Sequence, residues 1–131
     1  MYPQAIERWH ALVEQQSLDE LDALLADDAV FYSPIVHTPQ AGKALVTMYL
    51  TGAAHVLFNG KFRYESEVIG EQDAVLEFVT EVDGIQINGV DIIRWNEAGQ
   101  ITEFKVMLRP LKAIQLVHQK MGELLKQMQG G

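Results

Sequence analysis

Cysteine is absent from the 131 residues, so no disulfide or thiolate-held metal braces the fold and the core must hold it alone. Basic residues are scarce: 10 Lys and Arg stand against 18 Asp and Glu, a formal charge of −8. That balance opposes nucleic acid, whose phosphates demand cations, and anionic membrane surfaces, so neither is an expected partner. No apolar run approaches the roughly 20 residues that span a bilayer, and Met1-Tyr2-Pro3-Gln4 lacks a basic stretch followed by an apolar one. A cytoplasmic protein is expected. The 4 histidines include no pair at the i, i+4 spacing of a helical metal site, and no metal is expected. What is abundant is apolar side chain, 48% of residues. A chain this long buries roughly 65 to 70% of its unfolded surface, enough for one domain spanning residues 1–131.

Pro3 suits a first helical turn, and Ile6, Trp9, Leu12 and Val13 recur at helical spacing, which predicts a helix over 3–16. Ser17-Leu18-Asp19-Glu20 fits a capping box for a second helix carrying Leu21, Leu24 and Leu25. Residues 29–33 read as a short strand stopped by Pro34, and 34–42 as a loop. Leu45, Met48, Tyr49, Gly52, Ala53, Val56 and Leu57 predict a third helix over 43–58, ended by Asn59-Gly60. The period then changes to two: Phe62, Tyr64, Ser66 and Val68 alternate with charged residues. Turn signals separate four consecutive antiparallel strands at 61–69, 73–82, 85–95 and 100–108, the third bulged near Asn88-Gly89. Pro110 opens a last helix with Leu111, Ile114, Val117, Met121, Leu124, Leu125 and Met128 on one stripe.

Helices first, a curved antiparallel sheet next and a helix last make an α+β domain, because the helix stripes need an apolar sheet face to cover. One strand parity collects Ala74, Leu76, Phe78, Asp91, Ile93, Trp95, Phe104, Val106 and Leu108, and side chains of one parity share a face. That face is apolar except for one carboxylate. The other parity mixes Val79, Val90, Ile92 and Met107 with Glu77, Arg94, Glu103 and Lys105, a composition suited to a two-fold interface.

The chain resembles the nuclear transport factor 2-like superfamily, in particular its SnoaL-like and ketosteroid isomerase-like branches. The resemblance rests on Arg8-Trp9, Asp27-Asp28-Ala29-Val30, Gly42, the stretch from Asp91 to Ile101 and Met107-Leu108-Arg109-Pro110. It implies a cone-shaped, cystatin-like roll: a curved sheet wrapped around the N-terminal helices, open at one end into an apolar cavity, and a homodimer through the outer sheet face. In ketosteroid isomerases a Tyr and a protonated Asp hold an enolate oxygen while a second Asp moves the proton. Asp91 matches the protonated Asp, but Trp9 stands at the Tyr and Ser33 at the proton-moving Asp. Serine is no unaided base at neutral pH, so authentic steroid isomerisation is disfavoured. Related epoxide hydrolases use an Asp-Arg-Asp set, yet Arg94 has the opposite parity to Asp91.

Asp91 is the foremost catalytic candidate, since desolvation among Phe78, Ile93, Phe104 and Val106 would raise its pKa toward neutrality. A structural bond to a neighbouring backbone group or to the Trp9 N–H is its other reading. His37, in the loop past the first strand, and His55, on the third helix, are its candidate partners, whereas His10 and His118 read as helix-surface residues. Trp9, Phe31, Ser33, Tyr49 and Phe58 are expected around a ligand, with Leu76, Phe78, Ile93, Phe104 and Val106 as the sheet side of its pocket. These point to a cofactor-free proton-transfer enzyme of isomerase, cyclase or dehydratase type on a small apolar carbonyl compound. The rival is a non-catalytic module of the same fold that binds an apolar ligand or only dimerises.

Overall fold

The computed structural model describes residues 2–130, with side chains to residue 127. Helix α1 (Gln4–Gln15) buries Ile6, Trp9 and Leu12 and ends where Gln16 turns left-handed at φ 53°. The capping box does not form: the Ser17 hydroxyl accepts instead from the Asp19 N–H at 3.4 Å. The second helix is accordingly one turn, α2 (Leu21–Leu24). Strand β1 (Leu25–Tyr32) starts four residues earlier than its sequence pattern suggests and pairs with β2 (Gln40–Ala41), a two-residue strand inside the expected loop.

Helix α3 (Lys43–Leu57) buries Val46, Leu50, Val56 and Leu57. Its buried stripe is rotated from the one read in the sequence, leaving Leu45 exposed. Strands β3 (Arg63–Ile69), β4 (Asp73–Val82), β5 (Ile85–Trp95) and β6 (Ile101–Arg109) form the antiparallel meander. Asp83 and Gly84, at φ 52° and 78°, make the two-residue turn between β4 and β5, whose twist matches that of the strands it joins. Helix α4 (Leu111–Gly130) buries Ala113 and Val117, while Leu111 is exposed and the Met128 side chain lies outside the described residues.

The strands form one six-stranded sheet in the order β2-β1-β6-β5-β4-β3, with β1 and β6 parallel. That parallel pair departs from the all-antiparallel expectation, because pairing across so long a stretch of chain leaves no local mark. The expected bulge near Asn88-Gly89 is not there: β5 runs in unbroken register with β4 past both residues. Register shifts lie instead between Tyr64 and Ser66 and between Arg94 and Trp95, and such bulges bend a sheet. The sheet curves around the helices, with α3 against β1 and α4 against β6. Trp9 reaches the sheet edge-on to Phe104, ring centroids 4.9 Å apart. Among the described residues no helix is long and apolar enough to cross a membrane.

Candidate functional site

Alternation along β5 turns Asp91 onto the inner face, opposite Leu76 of β4 and Val106 of β6. Asp91 is 5% exposed, and it and Thr80 are the buried polar residues among those described. Thr80 is held by the Leu57 carbonyl and the Asn59 side chain. The Tyr64 hydroxyl, carried by β3 beside Phe78, donates to Asp91 Oδ2 at 2.5 Å and accepts from Trp9 Nε1 at 2.8 Å. An indole, a phenol and a carboxyl thus stand in series inside the apolar core.

Burial pushes the Asp91 carboxyl up to about 7, against a smaller downward pull from the Tyr64 hydrogen bond. Burial and then the Asp91 charge raise the Tyr64 phenol well above its ordinary value of 10.0. At neutral pH the phenol therefore keeps its proton, while the carboxyl is divided between its two forms and is able to give or take one.

Tyr64 was not among the residues the sequence singled out, although its parity with Phe62 pointed inward. The bulge after it reverses the face of the residues beyond. Glu67 turns inward toward α1, and Val68, which the alternation groups with Phe62 and Tyr64, is 68% exposed. Glu67 meets His10 Nε2 at 2.5 Å and accepts from the Tyr2 hydroxyl at 2.8 Å. His10 is thus a half-buried, paired side chain and not the free surface residue the helix pattern implied.

An apolar cavity of about 190 Å3 lies between α3, α4 and the ends of β1 and β6. Of the expected ligand-binding residues, Phe31, Ser33, Tyr49 and Val106 line it. Trp9, Leu76, Phe78, Ile93 and Phe104 are packed into the core instead, and Phe58 packs, tilted, between Trp9 and Phe62 beside two open recesses. His118, one residue past the buried Val117, stands at the cavity rim. Asp91 is not part of the lining, although Val106, its cross-strand neighbour, is.

The structure does not bring His37 or His55 to Asp91. Both are exposed, and each faces a recess of its own. His55 lies six residues beyond Tyr49, roughly 240° around the helix at about 100° per residue, so it points away from the cavity that Tyr49 lines. His37 is carried by the loop toward Tyr32 and Lys105, on the other side of β6. Arg94 is exposed and faces Glu103 at 3.7 Å. Among the described residues no three His, Asp or Glu side chains converge as a metal site would require.

A SnoaL-like domain model matches residues 6–104. The chain is similar to a steroid delta-isomerase from Pseudomonas aeruginosa, at 33% identity and a TM-score of 0.91 over 97% of this chain and 93% of that one. It is also similar to a protein with a cystatin-like fold from Silicibacter pomeroyi, at 30% identity and a TM-score of 0.85 over 92% of this chain and 84% of that one. A nuclear transport factor 2-like protein of unknown function from Mesorhizobium loti shares the fold at 17% identity, with a TM-score of 0.70 over 82% and 89% of the two chains. None of the curated protein sequences matches.

Proposed function

The chain belongs to the SnoaL-like domain family of the nuclear transport factor 2-like superfamily, and from that premise we propose that Asp91 handles a proton on a small apolar carbonyl compound seated in the cavity. The observation that carries this is the buried carboxyl, raised to about 7 and held by Tyr64, beside Val106 of the cavity lining. Ionised, Asp91 takes the proton from the carbon beside the carbonyl, leaving an enolate and a protonated carboxyl, which then returns the proton to carbon. The chemistry needs no cofactor and is of the isomerase, cyclase or dehydratase type.

The similar protein from Pseudomonas aeruginosa is named a steroid delta-isomerase, but steroid isomerisation is not proposed for this chain. Ser33 offers no carboxylate base at the cavity, and about 190 Å3 is below the roughly 300 Å3 at which pockets for larger ligands begin. On the same reading the protein acts in the cytoplasm as a homodimer paired through the outer sheet face around β4 and β5, where exposed Val75 lies among charged neighbours.

One observation favours a second reading: Asp91 does not line the cavity, although its cross-strand neighbour Val106 does. If the cavity does not open to Asp91, the pocket binds an apolar ligand without turning it over. Exchange of the α-protons of a one-ring ketone in deuterated buffer decides between the two. Loss of at least about 100-fold in Asp91→Asn, with an unchanged far-ultraviolet spectrum, supports proton transfer. Equal exchange by both proteins leaves only binding.

A further inference from the structure

Strands β1 and β6 run together only as far as the pair Tyr32 and Lys105. There the chain turns away, and the Ser33 hydroxyl fixes the turn by accepting from the N–H groups of Ile35 and Val36 at 2.9 and 3.2 Å. Strand β6 continues to Arg109 with β5 on one flank and no strand on the other. The resulting gap lies between two spaces. On the inner side is the apolar cavity; on the other is an open recess of about 570 Å3 whose lining includes His37 and Lys105. Ser33, Pro34, Val106 and Leu108 line both, so these four residues form the wall that the two spaces share.

Their charge is unlike that of the remaining surface. In a chain with 18 acidic residues, neither space is lined by Asp or Glu. The three other described recesses hold Asp19, Glu14 with Glu67, and Glu81 respectively. Lys105 takes part in none of the ion pairs among the described residues. Its Nζ lies 5.1 Å from the centroid of the Tyr32 ring, which steadies the ammonium beside the gap through the negative face of the ring. A cation without a carboxylate thus adjoins a cavity without polar charge.

We infer that the pocket takes a small apolar carboxylate, its body in the cavity and its carboxylate reaching through the gap to Lys105 Nζ, with the His37 imidazole as a second donor. The inference rests on the proposed pocket and names the ligand's chemical class and the residue that selects it. Size limits the body to about one ring, since a dry cavity of roughly 150 Å3 accepts benzene and this one measures about 190 Å3. An ammonium meeting a carboxylate at a partly screened site distinguishes the acid from a neutral isostere, because only the acid gains the charge-assisted bond.

Calorimetric titration of the whole chain with 3-phenylpropionate and with 3-phenylpropanamide at low salt tests this. The acid is expected to bind about tenfold more tightly than the amide, and that advantage to fall below about twofold in Lys105→Met and return in Lys105→Arg. Equal binding of acid and amide by the unaltered protein overturns the inference and leaves the pocket reading standing. An advantage that survives Lys105→Met overturns the assignment of the carboxylate to Lys105. Binding of neither compound overturns the inference together with the pocket reading on which it rests.

Discussion

The Tyr64 hydroxyl accepts from Trp9 Nε1 at 2.8 Å and donates to Asp91 Oδ2 at 2.5 Å, so a single oxygen ties helix α1 to the middle of the sheet. Trp9 and Asp91, at the two ends, are buried, and Tyr64 between them is half-buried. A change to the phenol is therefore felt at both ends.

Tyr64→Phe removes the acceptor of the indole and the donor of the carboxyl together. A loss of about 1 to 3 kcal/mol in folding stability is expected for polar groups left unpaired in the core. The Asp91 pKa is expected to rise further, because the bond removed is the one that lowers it. Urea denaturation checks the first effect, and an unaltered carboxyl titration would contradict the second.

Asp91 also fixes a pH dependence. Its pKa is 3.8 in the unfolded chain and about 7 in the folded one, so between those values the native state holds a proton that the unfolded state has released. Its contribution to stability is therefore fully present below 3.8 and is lost as pH rises through about 7. Relative to Asp91→Asn, which does not titrate, the native protein is expected to weaken by on the order of 4 kcal/mol from about pH 4 to about pH 8. A stability difference that stays flat over that range would contradict it.

Gly89 is required for packing, not for its backbone angles. A Cβ there would lie 2.5 Å from Phe78 Cζ, 2.7 Å from the Met107 carbonyl oxygen and 2.8 Å from Leu108 Cδ2. The carbonyl belongs to the sheet and cannot swing away. Gly89→Ala is expected to destabilise by about 1 to 3 kcal/mol in thermal or urea unfolding; an unchanged transition would mean the strands separate freely.

These residues also mark how far the sequence was legible. The meander could be read because alternation and the Asp83-Gly84 turn are local, and the inner face came from parity, Asp91 included. Tyr64, before the bulge, had an inward parity but nothing local to mark its partner Asp91, 27 residues away, and Glu67 could not be placed because one extra residue at a bulge reverses every face after it. The same holds for β1, whose partner is the distant β6. His37 and His55 were drawn toward Asp91 by position in the chain alone, whereas helix rotation and the gap beside β6 direct them elsewhere. Cavity size depends on how Phe31, Phe104 and Trp9 fill the space inside the sheet, which side-chain identity does not specify.

The outer face supplies a further expectation. Ile92 and Val90 occupy its centre on β5, so Ile92→Glu would place a charge in a self-complementary contact and drive a dimer to monomers. Sedimentation velocity of both proteins reads this directly. A monomeric unaltered protein at tens of micromolar would contradict pairing through this face.

The role of Asp91 in proton transfer is tested most directly by a carbon-detected NMR titration of its carboxyl, assigned with Asp91→Asn. A midpoint of about 7 is expected, where the group is able to give and accept a proton at neutral pH. A midpoint at or below 3.8 would make Asp91 a permanently ionised structural carboxylate and contradict that role.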